Sequence, residues 1–275
     1  MTATQITTRL ADEDIPEFKP DIMVKLLATI DAQQRPNLVL IVSLEAKDNE
    51  TLMFAEFIHG KTKKNVELNP KCTAAFMNLG YDYWVVKGDF THWAYEGTDF
   101  EYYNEKPLFK NNAYLGITRV GYISIKQVIP KRKIKMKRPL LRLLKNYMKE
   151  QKETETNEDK LPSFVKKIFR APSNLKYIAF VDKDGYPLII PTLHLIPTET
   201  NQLIFTPSAF KQDFTNLSPG MMVAAFALNI EELLMYQIKG TYRGFQSYQD
   251  TDVGCINIEE IYCCMPPKAG DRISF

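Results

Sequence analysis

The stretch LLATIDAQQRPNL (residues 26–38) recurs later in the chain as LKYIAFVDKDGYPLI (175–189). Asp31 corresponds to Asp182 and Pro36 to Pro187, and both pairs are 151 positions apart. Four further blocks recur in the same order: ETLMFAEF (50–57) with NQLIFTPS (201–208), LNPKCTAAFMN (68–78) with LSPGMMVAAFALN (217–229), VVKGDFTHW (85–93) with QIKGTYRGF (237–245), and YISIKQVI (122–129) with CINIEEIY (255–262). Because chance is a poor explanation for five ordered matches, the sequence predicts two copies of one unit of about 100 residues.

Each predicted unit consists mainly of strands. DAQQRP (31–36) and DKDGYP (182–187) are typical turns between two apolar runs, so each unit opens with a hairpin. A strand with a phenylalanine follows, then a short helix closed by Asn-Pro or Ser-Pro, a strand ending in AAF, a strand through Lys-Gly and a last apolar strand. Because six antiparallel strands with one or two helices cannot leave both edges bare, the pattern predicts that each unit closes into a small barrel.

The stretch between the units has a different composition. We predict a first barrel with an N-terminal extension over residues 1–129, a linker over 130–173 and a second barrel over 174–275. The linker starts with the basic run PKRKIKMKRP, becomes amphipathic and ends acidic, and its leucines lie at helical spacing. A helix that packs its leucine face on one barrel is the favoured interpretation. A basic segment that binds an anionic membrane or nucleic acid is the alternative, and the acidic residues that follow weaken it.

The composition argues against several classes of protein. The formal net charge of +2 requires neither nucleic acid nor membrane as a partner. The apolar runs at 37–44 and 187–197 are strand-sized, well below the roughly 20 residues of a membrane helix. The N-terminus has no apolar signal core, and the four cysteines form no CxxC pair, which favours a reduced, cytoplasmic protein. The three histidines have no metal-site spacing, so we predict no metal.

One polar stretch, HGKTKKNVELNP (59–70), is a candidate anion site. Thr62 is a good N-cap, and Pro70 disfavours helical backbone at Asn69, so we expect a helix of about two turns. A helix start offers free N–H groups and the positive end of the dipole, and Lys61, Lys63 and Lys64 add cations that suit a phosphate. A solvated basic turn is the alternative that this stretch by itself favours.

The ordered set of hairpin, phenylalanine strand, GKTKKN, Asn-Pro and Lys-Gly strand resembles the pyridoxamine 5′-phosphate oxidase-like, FMN-binding split-barrel superfamily. The resemblance covers the first unit and, more loosely, the second. Its most specific part is KTKKNVELNP (61–70) followed by VVKG (85–88). The resemblance implies a mainly β fold with short helices, in which tandem six-stranded antiparallel split β-barrels are joined by the helical linker.

The resemblance also implies FMN as cofactor and three groups of residues that bind it. One group holds the phosphate, one lies along the flavin ring, and one covers the ring from the other barrel of a two-fold interface. The phosphate group is Thr62, Lys63 and Lys64. The group along the ring is Val39, Leu40, Ile41, Val42, Ala55 and Glu56. The covering group is Tyr83 with the adjacent Trp84. Cations and free N–H groups suit a phosphate, and apolar strands with an aromatic cover suit a flat ring.

The second unit departs from this pattern. Counting back from Pro219 against Pro70, Lys211, Gln212 and Asp213 take the places of Thr62, Lys63 and Lys64. An aspartate would repel a phosphate, so we expect one FMN per chain, in the first unit. The chain ends PPKAGDRISF, without the basic C-terminal pattern with which pyridoxamine phosphate oxidases hold their substrate. Oxidation of vitamin B6 is therefore not the expected activity.

Two functions remain open from the sequence. The first is a flavoprotein oxidoreductase of a small molecule, with NAD(P)H as a possible electron donor and no nameable catalytic acid or base. The second is a non-catalytic split-barrel protein that carries FMN, haem or another ligand. At the position matching Tyr83 the second unit has Met235, a poorer aromatic cover. We therefore expect chains to form a homodimer in which Tyr83 or Trp84 of one chain lies near the flavin of another.

Overall fold

A computed structural model of the chain describes residues 6–20, 23–57, 60–110, 116–134, 144–146, 161–265 and 270–274. It has two antiparallel sheets with few short helices, so the predicted mainly β, tandem fold is confirmed. Contacts between Cα atoms divide the chain into two compact units, residues 1–134 with 185–187 and residues 135–184 with 188–275. No helix among the described residues is long and apolar enough to cross a membrane.

The first sheet has seven strands in the order β2-β1-β5-β6-β7-β4-β3. They are β1 (Val24–Ile30), β2 (Pro36–Leu40), β3 (Glu45–Ala46), β4 (Thr51–Glu56), β5 (Lys71–Met77), β6 (Asp82–Ala94) and β7 (Arg119–Lys133). The edge strands β2 and β3 are joined only by residues 41–44. Four residues reach at most roughly 3.5 Å each, so the two edges lie close together and the sheet curls into a split barrel.

The second sheet has eight strands, and its main path is β10-β11-β14-β13-β12-β8-β9. Read from β9 to β10, this path has the same order of equivalent strands as the first sheet. The strands are β8 (Leu175–Val181), β9 (Pro187–Pro191), β10 (Leu195–Pro197), β11 (Gln202–Phe205), β12 (Met222–Asn229), β13 (Leu234–Tyr248), β14 (Thr251–Cys263) and β15 (Arg272–Ile273). The predicted count of six strands per unit was too low, because β3, β10 and β15 are two or three residues long and too short to show a period.

The Lys-Gly pair of each unit lies at an irregularity between two long strands. The ladder between β6 and β7 shifts register at Lys87/Gly88, and that between β13 and β14 shifts at Lys239/Gly240. A Cβ atom added to Gly88 would lie 2.7 Å from the backbone oxygen of Ser124. Only glycine fits such an approach, so the shared Lys-Gly is explained by backbone packing at a bulge.

Helices cover each sheet. In the first unit α1 (Lys61–Leu68) follows β4, and α2 (Thr98–Glu105) and α3 (Pro107–Lys110) lie between β6 and β7. Tyr103 of α2 is fully buried in a cluster with Val120 and Tyr122 of β7. In the second unit Leu144 packs in a cluster with residues of β10, β11 and β14.

The predicted linker lies largely outside the described residues. Its first residues, up to Lys133, belong to β7, so the strand passes the predicted boundary at 129. Residues 135–143 and 147–160 are not described, and the predicted helix there stays a prediction. The last part forms α4 (Ser163–Arg170), which buries Val165, Ile168 and Phe169 against strands of the second unit.

Both units bury a lysine at the same position of the first strand. Lys25 is 1% exposed and Lys176 is 0% exposed, and they are 151 positions apart. The Lys176 ammonium donates to the carbonyl oxygens of Ala171, at the end of α4, and Leu193, at 2.9 and 3.4 Å. Removal from water disfavours its charged form and lowers its pKa from 10.5 to about 8.

We expect Lys176→Met to change how stability depends on pH. Between about pH 8 and 10.5 the unfolded state holds the Lys176 proton and the folded state does not, so this residue makes stability rise with pH. Below pH 8 the buried charge opposes folding by an amount on the order of 3 kcal/mol. The free energy of unfolding of Lys176→Met, measured with urea, should therefore exceed that of the parent chain most at pH 7. This difference should disappear by pH 10.5.

The matched control is Lys183→Met, at an exposed lysine of the same unit. It should follow the pH profile of the parent. A stability difference between parent and Lys176→Met that stays constant from pH 7 to 10.5 would contradict the lowered pKa.

Candidate functional site

The N-cap of helix α1 lies two residues before the residue predicted from the sequence. It is Gly60, in an extended conformation, which has no side chain to cap the first turn. The predicted N-cap Thr62 is therefore wrong, because it lies inside the first turn. The helix ends at Leu68, and Asn69 is extended before Pro70, so the predicted length of two turns is confirmed.

The start of α1 is electrostatically unusual. Lys61, Lys63 and Lys64 lie in its first turns, where the helix dipole disfavours cations. The first N–H groups of the helix donate to no N-cap side chain, because Gly60 has none. A methyl group added to Gly60 would meet no described atom within 4 Å. The N–H groups of a helix start, a cluster of lysines and open space at Gly60 together fit an anion such as a phosphate.

The rest of α1 is fixed to the barrel. Val66 is buried, and the buried Asn65 Nδ2 donates to Thr29 Oγ1 of β1 at 2.9 Å. The helix packs against both β1 and β2. The cationic helix start is therefore held on the strand that leads directly into the apolar stretch predicted to contact a flavin ring.

The two strand segments predicted to lie along the ring are brought together. Ser43 Oγ accepts from the Ala55 N–H and donates to the Ala55 carbonyl, both at 3.0 Å, so the chain after Val42 runs beside β4. Val39, Leu40 and Ile41 are half-buried, and Val42 is exposed. Val39 and Ile41 pack against the core of the first unit, so Leu40 and Val42 form the apolar surface that is accessible at this edge.

Glu56 does not offer its carboxylate to a ligand in this structure. It pairs with Arg119 of β7, whose Nε lies 2.5 Å from Oε2, and Thr118 Oγ1 donates to the same oxygen at 3.2 Å. Both residues of the pair are buried. The predicted course of the ring along Ala55 and Glu56 stays a prediction, and the Glu56 side chain itself is engaged in the protein interior.

The pair belongs to a network that reaches α1. The Arg119 guanidinium lies 3.8 Å from the centre of the Trp93 ring and donates to Tyr95 OH at 3.1 Å. Trp93 Nε1 donates in turn to Glu67 Oε1 of α1 at 3.1 Å. These residues tie β4, β6 and β7 to the helix. Sequence reasoning missed Arg119 and Trp93, because neither lies in the motif and their partners are distant along the chain.

The two predicted aromatic covers are buried within the chain. Trp84 is 0% exposed, donates from Nε1 to Asp14 Oδ1 at 3.1 Å and contacts Phe18 edge-on at 5.5 Å. Tyr83 is 1% exposed. A core tryptophan cannot reach the flavin of another chain without breaking this packing, so the predicted covering role is corrected.

The corresponding segment of the second unit has a different structure. Residues Ser208–Phe214 form a 3₁₀ helix that is interrupted at Phe210, rather than an α-helix. Lys211 is paired with Asp252, with Nζ 2.6 Å from Oδ2. Asp213 stands where the first unit has Lys64. The second unit thus lacks both the regular helix start and the cation cluster.

A second group of polar residues lines an open groove of about 380 Å³ on the first unit. Tyr122 OH and Lys47 Nζ both contact Asp99 Oδ2, at 2.7 and 2.6 Å. Burial raises the pKa of Asp99, but these hydrogen bonds outweigh burial and leave it below its ordinary value. The ring of His92 stacks on Tyr122 at 4.6 Å. These contacts hold α2 against β7.

The histidines and cysteines that the sequence offers as further candidates have the following surroundings. His194 is buried, and His59 lies outside the described residues. Cys263 and Cys264 are half-buried and form no disulfide. Within the described part of the chain, no group of three or more histidine, cysteine, aspartate or glutamate side chains is arranged to hold a metal ion.

No protein-family model matches the chain, and no curated protein matches it. The following three solved structures each match under half of it. HupZ from Group A Streptococcus is 21% identical over 43% of this chain and 92% of its own, with a TM-score of 0.36. An FMN-binding protein from Syntrophomonas wolfei is 18% identical over 46% and 90%, with a TM-score of 0.37. A NimC/NimA family protein from Clostridium acetobutylicum is 21% identical over 40% and 88%, with a TM-score of 0.33. Similarities this weak establish no shared function.

Proposed function

We propose that the first unit binds FMN, with the phosphate at the start of α1 and the flavin ring along residues 39–42 and Ala55. The observation that carries this proposal is the uncapped helix start with Lys61, Lys63 and Lys64. Cations there oppose the helix dipole unless an anion is bound. Thr62 and the backbone N–H groups of the first turn add donors, and charge-assisted bonds to a phosphate are short and strong.

The chain's own residues have distinct roles in this proposal. Lys63, Lys64 and Thr62 hold the phosphate, and Leu40 and Val42 exclude water from one face of the ring. Val39 and Ile41 pack behind them on the core. The bonds between Ser43 and Ala55 keep the two ring-contacting segments in place. The Glu56–Arg119 pair and Trp93 fix α1 relative to the strands. Bound flavin supplies hydride chemistry, which makes the protein an oxidoreductase of a small molecule, with NAD(P)H as electron donor.

A second function, binding without turnover, is favoured by one observation. The side chains along the proposed ring position, at residues 39–42 and Ala55, are all apolar, and none of them can give or take a proton. A split barrel that carries FMN, haem or another flat ligand fits such a surface equally well.

We further propose that each chain holds one FMN, since the second unit has a broken 3₁₀ helix and Asp213 at the corresponding place. The shared strand order of the two sheets supports two copies of one fold, of which only the first keeps the site. A homodimer stays part of the proposal, without Tyr83 and Trp84 as its aromatic cover.

The absorption spectrum of the purified chain after incubation with FMN and gel filtration tests the proposal. We expect a yellow protein with retained flavin bands that bleach when NADH or NADPH is added without oxygen. Retained bands that do not bleach with either donor favour the carrier function. A colourless protein contradicts FMN binding.

A further inference from the structure

The corresponding hairpin tips of the two units expose large apolar side chains. The first tip, residues 78–82, joins β5 to β6, and the second tip, residues 229–234, joins β12 to β13. At the first tip Leu79 is 71% exposed and Tyr81 is 37% exposed. At the second tip Ile230 is 44% exposed and Leu233 is 63% exposed. Single exposed apolar residues are common, but each of the two tips exposes two of them within four residues.

One residue of each pair has a backbone conformation that its side chain disfavours. Tyr81 has φ 62° and Leu233 has φ 52°, and each directly precedes the long strand of its hairpin. Left-handed backbone is normal for glycine or asparagine at such a turn and unfavourable for tyrosine or leucine. Because both side chains are exposed, their packing within the chain does little to offset this strain. Strain of this kind is often found where a residue has a role outside its own fold.

The surroundings of the two tips carry opposite charge. The end of β7 lies against the first tip, because Ile134 N donates to Tyr81 O at 2.9 Å, and it carries the exposed Lys131 and Lys133. Lys133 pairs with Asp82 at 3.1 Å, which leaves Lys131 as excess positive charge. The second tip itself contains the exposed Glu231 and Glu232.

We propose that the first tip of one chain docks on the second tip of another copy of the same chain. Leu79 and Tyr81 pack against Ile230 and Leu233, and the lysines beside the first tip face Glu231 and Glu232. A second copy is the fitting partner because one chain carries both complementary surfaces and leaves both exposed. In a closed pair the contact occurs twice, which reinforces an interface that is small for a single contact.

Sedimentation velocity over a range of concentrations tests this docking. The parent should shift from 31.7 kDa toward twice that mass as concentration rises. Leu233→Gly and Tyr81→Gly should each weaken association at least tenfold while leaving the unfolding midpoint unchanged or higher, because glycine relieves the strained backbone. The matched control Leu108→Ser removes an exposed leucine of α3, which belongs to neither tip, and should associate like the parent.

A charge exchange tests the complementarity. Glu231→Lys with Glu232→Lys should weaken self-association, and mixing this variant with Lys131→Glu should restore a mixed complex. The proposal is overturned if the parent remains at 31.7 kDa at every concentration, or if the glycine variants associate as tightly as the parent. It is also overturned if a monomeric parent binds anionic lipid vesicles through Tyr81, since the partner would then be a membrane.

Discussion

Replacing Arg119 by methionine should destabilise the first unit by about 3–5 kcal/mol, because it leaves the buried Glu56 carboxylate without its cation. The substitution also removes the guanidinium from the face of Trp93, a contact that contributes about 1 kcal/mol more. Urea unfolding, followed by the fluorescence of the two tryptophans of the first unit, measures the loss.

Two variants make this result specific. Arg9→Met removes an ion pair with Glu50 in which both side chains are about 60% exposed, and it should change stability by less than about 1 kcal/mol. Adding Glu56→Gln to Arg119→Met should recover part of the loss, because the uncompensated charge is gone. Equal effects of Arg119→Met and Arg9→Met would show that the buried pair does not hold β4 to β7.

Thr62→Ala combined with Lys64→Ala should weaken FMN binding at least tenfold. Each charge-assisted bond to the phosphate contributes about 1.5–3 kcal/mol, and the double variant removes two donors without touching the apolar ring surface. Titration followed by quenching of flavin fluorescence measures the affinity, and riboflavin, which has no phosphate, should bind both chains equally.

The matched control for this variant is Lys211→Ala in the second unit. Its lysine stands at the position of Thr62 but pairs with Asp252. It should leave FMN affinity unchanged. An unaltered FMN affinity in the Thr62→Ala, Lys64→Ala chain would remove the proposed phosphate site.

The sequence predicted features that depend on local chemistry or on repetition. The turns at DAQQRP and DKDGYP gave the hairpins of β1 with β2 and β8 with β9, and Pro70 gave the end of α1. The offset of 151 residues in the opening blocks persists in the backbone. Ile41 N bonds to Lys25 O and Thr192 N bonds to Lys176 O, both at 2.8 Å.

The register of the strands and the tertiary contacts could not be predicted from the sequence in this way. Matching the two AAF segments equates Phe76 with Phe226, but Ala74 pairs with Leu27 and Ala225 pairs with Ile178. Corresponding residues of the two strand pairs are 151 positions apart, whereas the AAF match places corresponding residues 150 positions apart. The AAF match was therefore shifted by one residue, and such a shift assigns every side chain to the opposite face of the sheet. The sequence match was aligned on identical residues, whereas the correct alignment depends on strand pairing that is visible only in the folded chain.

Two side chains that were predicted to lie near the flavin are engaged by the protein itself, for one reason. Glu56 and Trp84 were placed by their position in a motif, and each has a partner far along the chain: Arg119 for Glu56 and Asp14 for Trp84. Position along a strand predicts which segment is near a ligand. It does not predict whether a side chain is already engaged by the protein.

Equilibrium titration of the full chain with FMN tests the central claim most directly, because it reports binding whether or not the protein turns over. The account predicts saturation at one FMN per chain, with a dissociation constant in the micromolar range or below, about −8 kcal/mol. Saturation at two per chain would show that the second unit, despite Asp213, also binds. No binding of FMN to the folded chain would contradict the proposed site at the start of α1.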